Sequence, residues 1–209
     1  MISVHALIAF IGALAIVYAV PGPDMALVLQ TSTSRGIRHG VANTAGLAIA
    51  RATHVTLSAC GVAALLKASP GLYEGVRIAG ALYLAYVAIQ ILRSRGFALE
   101  ARGLHTGIAP SLRSSLAKGM LSNLLNPKAL LFCSVLLPQF VDPLGAPVWS
   151  QVTELGVVLV LTGIAFDLAY VFGASRLTSF LRHSPRAEQL QRWSFAAVLL
   201  AFAIRIPFA

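Results

Sequence analysis

Two short stretches hold the residues with most chemistry to offer: Gly22-Pro23-Asp24 and Asn126-Pro127-Lys128. Each interrupts an apolar run, and each has the same order: a residue suited to cap a helix, a proline suited to its first position, then an ionisable side chain. Proline in a helix interior removes a hydrogen bond and clashes with the preceding turn, so Pro21, Pro23 and Pro127 predict that two helices break and restart here. A restarted helix presents N–H groups and partial positive charge that can hold a carboxylate. The carbonyls freed at the break can hold an ammonium group.

Asp24, Arg51, Lys128 and Asp167 lie within or at the edges of apolar runs. A charge at the centre of a bilayer costs at least about 2.5 to 3.5 kcal/mol, so these four are expected to face a bundle interior, a partner or water. Asn43, Arg51, His54 and Ser58 fall within about 80° of arc on one helix, a polar stripe that can line a pathway. The same stripe can equally serve to hold helices together, with Arg51 paired to Asp167. His54 is a proton-carrying candidate because imidazole titrates near physiological pH. Asp167 stands a turn from both Gly163 and Tyr170, which makes it the preferred coupling carboxylate.

The elements that must position these groups follow from composition. Of 209 residues, 57% are hydrophobic and 11% charged, whereas a soluble domain carries roughly 25% charged residues. So apolar a chain cannot cover a water-facing exterior, and lipid is the expected surroundings. A span takes about 20 apolar residues, which leaves room for roughly six. Six segments can be marked: Ile2 to Leu29, Val41 to Leu66, Leu72 to Leu92, Leu116 to Leu137, Val152 to Ala174 and Trp193 to Phe208. The N-terminal run lacks a basic start and exceeds signal length, so it is read as a retained span.

Sixteen Lys and Arg face seven Asp and Glu, a balance that in a soluble protein would suggest nucleic acid. Here the basic residues sit in alternate short connections. Arg35 and Arg38 follow the first segment; Arg93, Arg95, Arg102, Arg113 and Lys118 lie around the third-to-fourth connection; Arg176, Arg182, Arg186 and Arg192 precede the sixth segment. The opposite connections hold only Lys67 and Arg77. This bias places the basic loops in the cytoplasm and both termini outside; nucleic acid is not an expected partner. The longest connection, Arg93 to Ser115, divides one membrane domain, 1–209, into halves at 1–95 and 112–209. Three spans per half require opposite insertion, so the expected fold class is all-α, six transmembrane helices as two inverted three-helix repeats, with the two breaks at matching places.

Cys60 and Cys133 lie in apolar runs and are read as packing residues. Neither Gly36-x-x-x-Gly40, placed in a loop, nor Gly71-x-x-x-Gly75, at an edge, indicates a dimer, although a homo-oligomer stays compatible with the chain. Enzyme motifs for phosphate, zinc or serine chemistry are missing, so no enzyme and no cofactor is expected. A channel and an exporter of metals or small ions are the alternatives; the sequence has no Asp/Glu/Cys cluster to favour the latter.

Val20-Pro21-Gly22-Pro23-Asp24, Gly80-Ala81-Leu82-Tyr83-Leu84, and Asn123-Leu124-Leu125-Asn126-Pro127-Lys128 with Phe132 and Leu137-Pro138-Gln139-Phe140 resemble, in order and spacing, the LysE/RhtB amino-acid exporters. Ala88 and Cys133 depart from that pattern, where glycine and a second aromatic are common. The resemblance implies an exporter of amino acids or close derivatives across the bacterial inner membrane, driven by an ion gradient. It carries a binding role to Pro21, Gly22, Pro23, Asn126, Pro127 and Lys128. Asp24 and Arg51 join the binding set, and Asp167 and His54 the proton-coupling set, from the residue chemistry above. The expected mechanism is two halves rocking about a central cavity, with a zwitterion's carboxylate at Asn126 and Lys128 and its ammonium at Asp24 or freed carbonyls.

Overall fold

The computed structural model describes residues 2–20, 22–68, 70–93, 111–142 and 144–182, with single residues between 189 and 204. Seven α-helices and no strand occur among them: α1 (Val4–Ala19), α2 (Pro23–Arg35), α3 (Ile37–Ala68), α4 (Pro70–Arg93), α5 (Leu112–Leu124), α6 (Pro127–Leu131) and α7 (Val148–Arg182). A π-helical turn, Phe132–Leu136, and a 3-10 turn, Leu137–Phe140, continue α6. Pro21 and most of the sixth segment lie outside the described residues; Trp193, Ala196, Ala197, Leu200, Ala201, Ala203 and Ile204 are helical.

Helix starts follow local chemistry. Ser3 and Ser111 cap α1 and α5 by accepting from the N–H groups of Ala6 and Ser114, and prolines open α2, α4 and α6. Between α2 and α3 the chain turns on Gly36 alone, whose φ of 86° and ψ of 170° occupy a region that only glycine enters cheaply. Gly40, expected in a loop, is inside α3. Both expected breaks are present. α1 and α2 meet at 56°, and α5 meets the Lys128–Phe140 segment at 62°. Val148–Arg176 is long and apolar enough to cross a membrane alone, and each bent pair passes the same test only when taken as one span, which makes up to three spans among the described residues.

Contacts order the bundle along its axis. The Ile2 N–H donates to Glu154 at 3.3 Å and the Phe10 ring lies 4.9 Å from Phe140, so the starts of α1 and α7 share one end. His39 Nδ1 meets Ser115 Oγ at 2.9 Å, and Gly40 faces Val171, which gathers the starts of α3 and α5 with the later part of α7 at the other. Hence α3 runs parallel to α5 and antiparallel to α7. Arg35, Arg38, Arg113 and Arg176 all belong to that second end. The first end is filled by an apolar core that includes Phe10, Leu14, Phe132, Leu136, Leu137, Phe140, Leu155 and Leu159.

The α3–α5 crossing is so close that side chains are missing from it. A Cβ on Gly46 would strike the Leu116 carbonyl, and one on Gly119 the Asn43 carbonyl. Gly119→Ala must therefore push two backbones apart and should destabilise the protein by about 1–3 kcal/mol. Gly61→Ala, with nothing within 4 Å of the new atom, should be neutral or gain up to about 1 kcal/mol from helix propensity. Thermal unfolding in detergent compares them; equal midpoints would disprove the tight crossing. Of the two cysteines read as packing residues, only Cys133 is buried, while Cys60 is exposed on the helix surface, because hydrophobic residues on a lipid-facing side need no protein neighbour.

Candidate functional site

The site is assembled from the ends of broken helices. Gly22 caps α2 with extended backbone, Pro23 takes the first turn, and Asp24 follows it there. In the second half Asn126 accepts from the Lys128 N–H at 3.0 Å, with Pro127 in the first turn of α6. The two breaks then grip one another. Lys128 Nζ donates to the carbonyls of Val17 at 2.5 Å and Val20 at 3.0 Å, the acceptors left when α1 stops. Asp24 in turn accepts from Asn123 Nδ2 at 2.6 Å and Ser122 Oγ at 3.2 Å, at the point where α5 stops. Each break sends one charge into the polar groups exposed by the other, which satisfies groups that a helix end leaves without partners.

Freed carbonyls were expected to suit a bound ammonium. The protein's own Lys128 holds them instead, because an ammonium beside a helix N-terminus is disfavoured by the dipole and the α1 carbonyls compensate.

Behind this junction lies a second charge pair. Arg51 Nη1 and Nη2 donate to Asp167 Oδ2 and Oδ1 at 2.6 and 3.2 Å, and both side chains are 3% exposed. The guanidinium stacks 4.9 Å from the centre of the Tyr18 ring, an arrangement that suits a weakly hydrated planar cation. Gly163 makes room: a Cβ there would stand 2.6 Å from Arg51 Nη1. The hydroxyl of Tyr170 donates to the Tyr18 carbonyl at 2.6 Å, and that of Tyr18 to the Leu159 carbonyl at 3.3 Å.

These groups line one cavity. Its polar wall is Asp24, Arg51, Asn123, Asn126, Lys128 and Asp167 with Tyr18 and Tyr170; its apolar wall includes Leu14, Val17, Met25, Phe132, Cys133 and Leu159, and Gly22 completes it. The volume is about 50 Å³, against roughly 10–15 Å³ for a single water on the same measure, so a bulky solute needs it to widen. Two cations and two carboxylates face it, a balanced set suited to a dipolar guest rather than a bare ion. Among the described residues no three His, Cys, Asp or Glu side chains are grouped to hold a metal.

Of the residues singled out from sequence, Gly22, Asp24, Arg51, Asn126, Lys128 and Asp167 come together on this cavity. Pro23 is exposed, the Pro127 backbone opens α6, and Pro21 lies outside the described residues. His54 is not on the cavity wall. Its Nε2 donates to the Asn123 carbonyl at 3.2 Å, and Ser58 donates to the Cys133 carbonyl at 2.6 Å, so these two members of the α3 stripe bind helices while Arg51 alone reaches the cavity. Tyr18, Ser122 and the side-chain role of Asn123 were missed. The signal for Asn123 was present, since an amide just before a helix break is positioned to serve the other break, but only the fold tells which.

Comparison with known proteins shows the family. Residues 15–208 match the family model of the LysE type translocators. The chain is 32% identical over 195 residues to an uncharacterised membrane protein of Pseudomonas aeruginosa, covering 92% of this chain and 90% of the relative. It is 29% identical over 187 residues to the leucine efflux protein of an Enterobacter species, covering 90% and 88%. To the homoserine/homoserine lactone efflux protein of Salmonella typhimurium it is 31% identical over 173 residues, covering 82% of each. No solved structure matches the chain. A helical chain whose two broken helices meet at a charge-balanced cavity, and which matches this family from residue 15 to residue 208, belongs to the LysE type translocators, a family of membrane transporters.

Proposed function

We propose that the protein is a proton-coupled exporter of amino acids or close derivatives across the bacterial inner membrane, built from six spans in two inverted halves at 1–95 and 112–209. The observation that carries the reading is the reciprocal grip of the two breaks around one cavity, Lys128 on the α1 carbonyls and Asp24 on the α5 end. Such a junction is expected where inverted repeats meet near the midplane. The basic residues gathered at one end favour that end as cytoplasmic, with the termini outside.

A zwitterion fits the balanced walls. Its ammonium goes to Asp24 and to Asn123 Oδ1, a buried acceptor without a partner. Its carboxylate goes to Arg51 and the Asn126–Lys128 restart, and its side chain lies against Leu14, Met25, Phe132 and Leu159. The relatives named for leucine and homoserine efflux support a neutral amino acid. Antiport requires proton and substrate to exclude each other, and a carboxylate facing the shared cavity can serve one at a time. Asp167 is the coupling carboxylate in this scheme, and His54, hydrogen-bonded behind Asn123, supports the ammonium seat.

Counterflow of labelled leucine and homoserine into proteoliposomes tests the reading. Saturable exchange is expected for at least one of them, and Asp24→Asn should lower it about 10-fold to 100-fold, the loss of one charge-assisted hydrogen bond. Asp167→Asn should keep exchange but lose its response to an imposed pH gradient. A full response in that variant removes Asp167 from coupling, and no exchange with any amino acid removes the substrate class.

A further inference from the structure

The cavity is bounded differently toward the two ends of the bundle. Toward the end where α1 and α7 start, the seal is a deep apolar core containing Phe10, Phe132, Leu136 and Phe140. Toward the basic end it is a thinner layer of two small clusters, Val28, Leu47 and Val171, and Met25, Leu29 and Ala174, both packed against Tyr170, whose hydroxyl is tied to the Tyr18 carbonyl. Immediately beyond this layer the chain buries polar groups that it does not satisfy. Ser32 Oγ, both side-chain polar atoms of Asn43 and Thr44 Oγ1 have no hydrogen-bond partner, although Ser32 is 8% exposed, Thr44 3% and Asn43 fully buried.

These atoms form one neighbourhood. Gly40, Asn43, Thr44 and Leu47 share a face of α3 by helical spacing. A Cβ on Gly40 would strike Ser32 Oγ and stand 3.1 Å from Val171, and one on Gly119 would stand 3.1 Å from Asn43 Oδ1. The cluster therefore lies between α2, α3, α5 and α7. Among the described residues, the one other buried side-chain atom without a partner is Asn123 Oδ1, on the cavity itself. Among the described residues, the buried side-chain atoms without a partner thus lie in the cavity or on one side of it.

Buried polar groups are nearly always paired, and leaving them unpaired carries a desolvation cost that water would remove. A packed hydrocarbon seal gains nothing by opening, whereas this side does. We infer that Ser32, Asn43 and Thr44 form an entrance site, occupied by water and the polar head of a passing solute when the protein opens to the basic end. Tyr170 and the two small apolar clusters packed against it form the gate between it and the cavity. The inference rests on solute passing through that cavity but not on which solute it is.

Thiol accessibility tests it without any substrate. Ser32→Cys and Thr44→Cys, each with Cys60→Ser and Cys133→Ala, are reconstituted and treated with a permanently charged methanethiosulfonate from either face. Slow labelling is expected, from the face bearing Arg35, Arg38 and Arg176. It should become about fivefold to tenfold faster when Tyr170→Phe removes one hydrogen bond. Val152→Cys, in the apolar seal of the opposite end, should resist the reagent from that face with or without Tyr170→Phe. Labelling of Ser32→Cys and Thr44→Cys from the opposite face, rates that Tyr170→Phe leaves unchanged, or no labelling at all each overturn the assignment. Failure of amino-acid exchange would leave this result standing, so the two proposals fail separately.

Discussion

Asp167→Ala should lower the unfolding free energy by about 3–5 kcal/mol, the cost of leaving a buried charge without its partner. The partner is Arg51, 3% exposed and held through two hydrogen bonds to that carboxylate. It also stacks on the Tyr18 ring, which offers a face but no formal negative charge. The loss should appear as a large drop in unfolding midpoint in detergent and in folded yield. Replacing both members, Arg51→Met with Asp167→Leu, should recover most of the stability, because a buried ion pair exchanged for apolar groups of similar volume is often neutral or better. The double variant should be inactive in exchange, because it lacks the Arg51 guanidinium assigned to the substrate carboxylate. A double variant no more stable than Asp167→Ala would mean that the pair is not what Asp167 contributes to the fold, and one that transports normally would remove both residues from the site.

Lys128→Met is expected to cost about 2–5 kcal/mol and to reduce exchange at least about 30-fold, the range found when one partner of a buried, hydrogen-bonded charge is truncated. The physical reason is the helix break. With α1 ending at Ala19, the carbonyls of Val17 and Val20 rely on this ammonium, and methionine fills similar volume without donating. Losing the donor should also loosen the angle at which α1 meets α2. Lys128→Arg should keep part of both properties, since charge is retained but a planar fork on a longer stem replaces a compact ammonium. Unfolding midpoint and counterflow are to be measured together on each variant. An unchanged midpoint and unchanged exchange for Lys128→Met would dissolve the proposed tie between the halves.

The position of the breaks, the opposite signs of their charges and the interior placement of Asp24, Arg51, Lys128 and Asp167 were all legible in the chain. These are local or solvation properties: proline cannot continue a helix, and a charge cannot face lipid cheaply. The pairing of Arg51 with Asp167 was legible only as one of two uses of the polar stripe. Their separation by 116 residues along the chain gives no register by which to choose. Whether His54 would reach the cavity was not legible for a related reason. Its position on the α3 face is shared with Arg51, but the helix opposite decides which of the two reaches open space, and there α5 presents its Asn123 carbonyl.

By itself, then, the order of residues determined that the chain is helical and apolar, where its helices restart, and which few polar groups must be kept from lipid. Only the tertiary structure decided that Lys128 serves the first break and Asp24 the second, that Gly46 and Gly119 let α3 and α5 touch, and that unmet polar atoms gather on one side of the cavity. Periodicity and capping act within a few residues along the chain. Hydrogen bonds across more than a hundred residues depend on how whole helices dock, and docking is settled by the summed fit of every face at once.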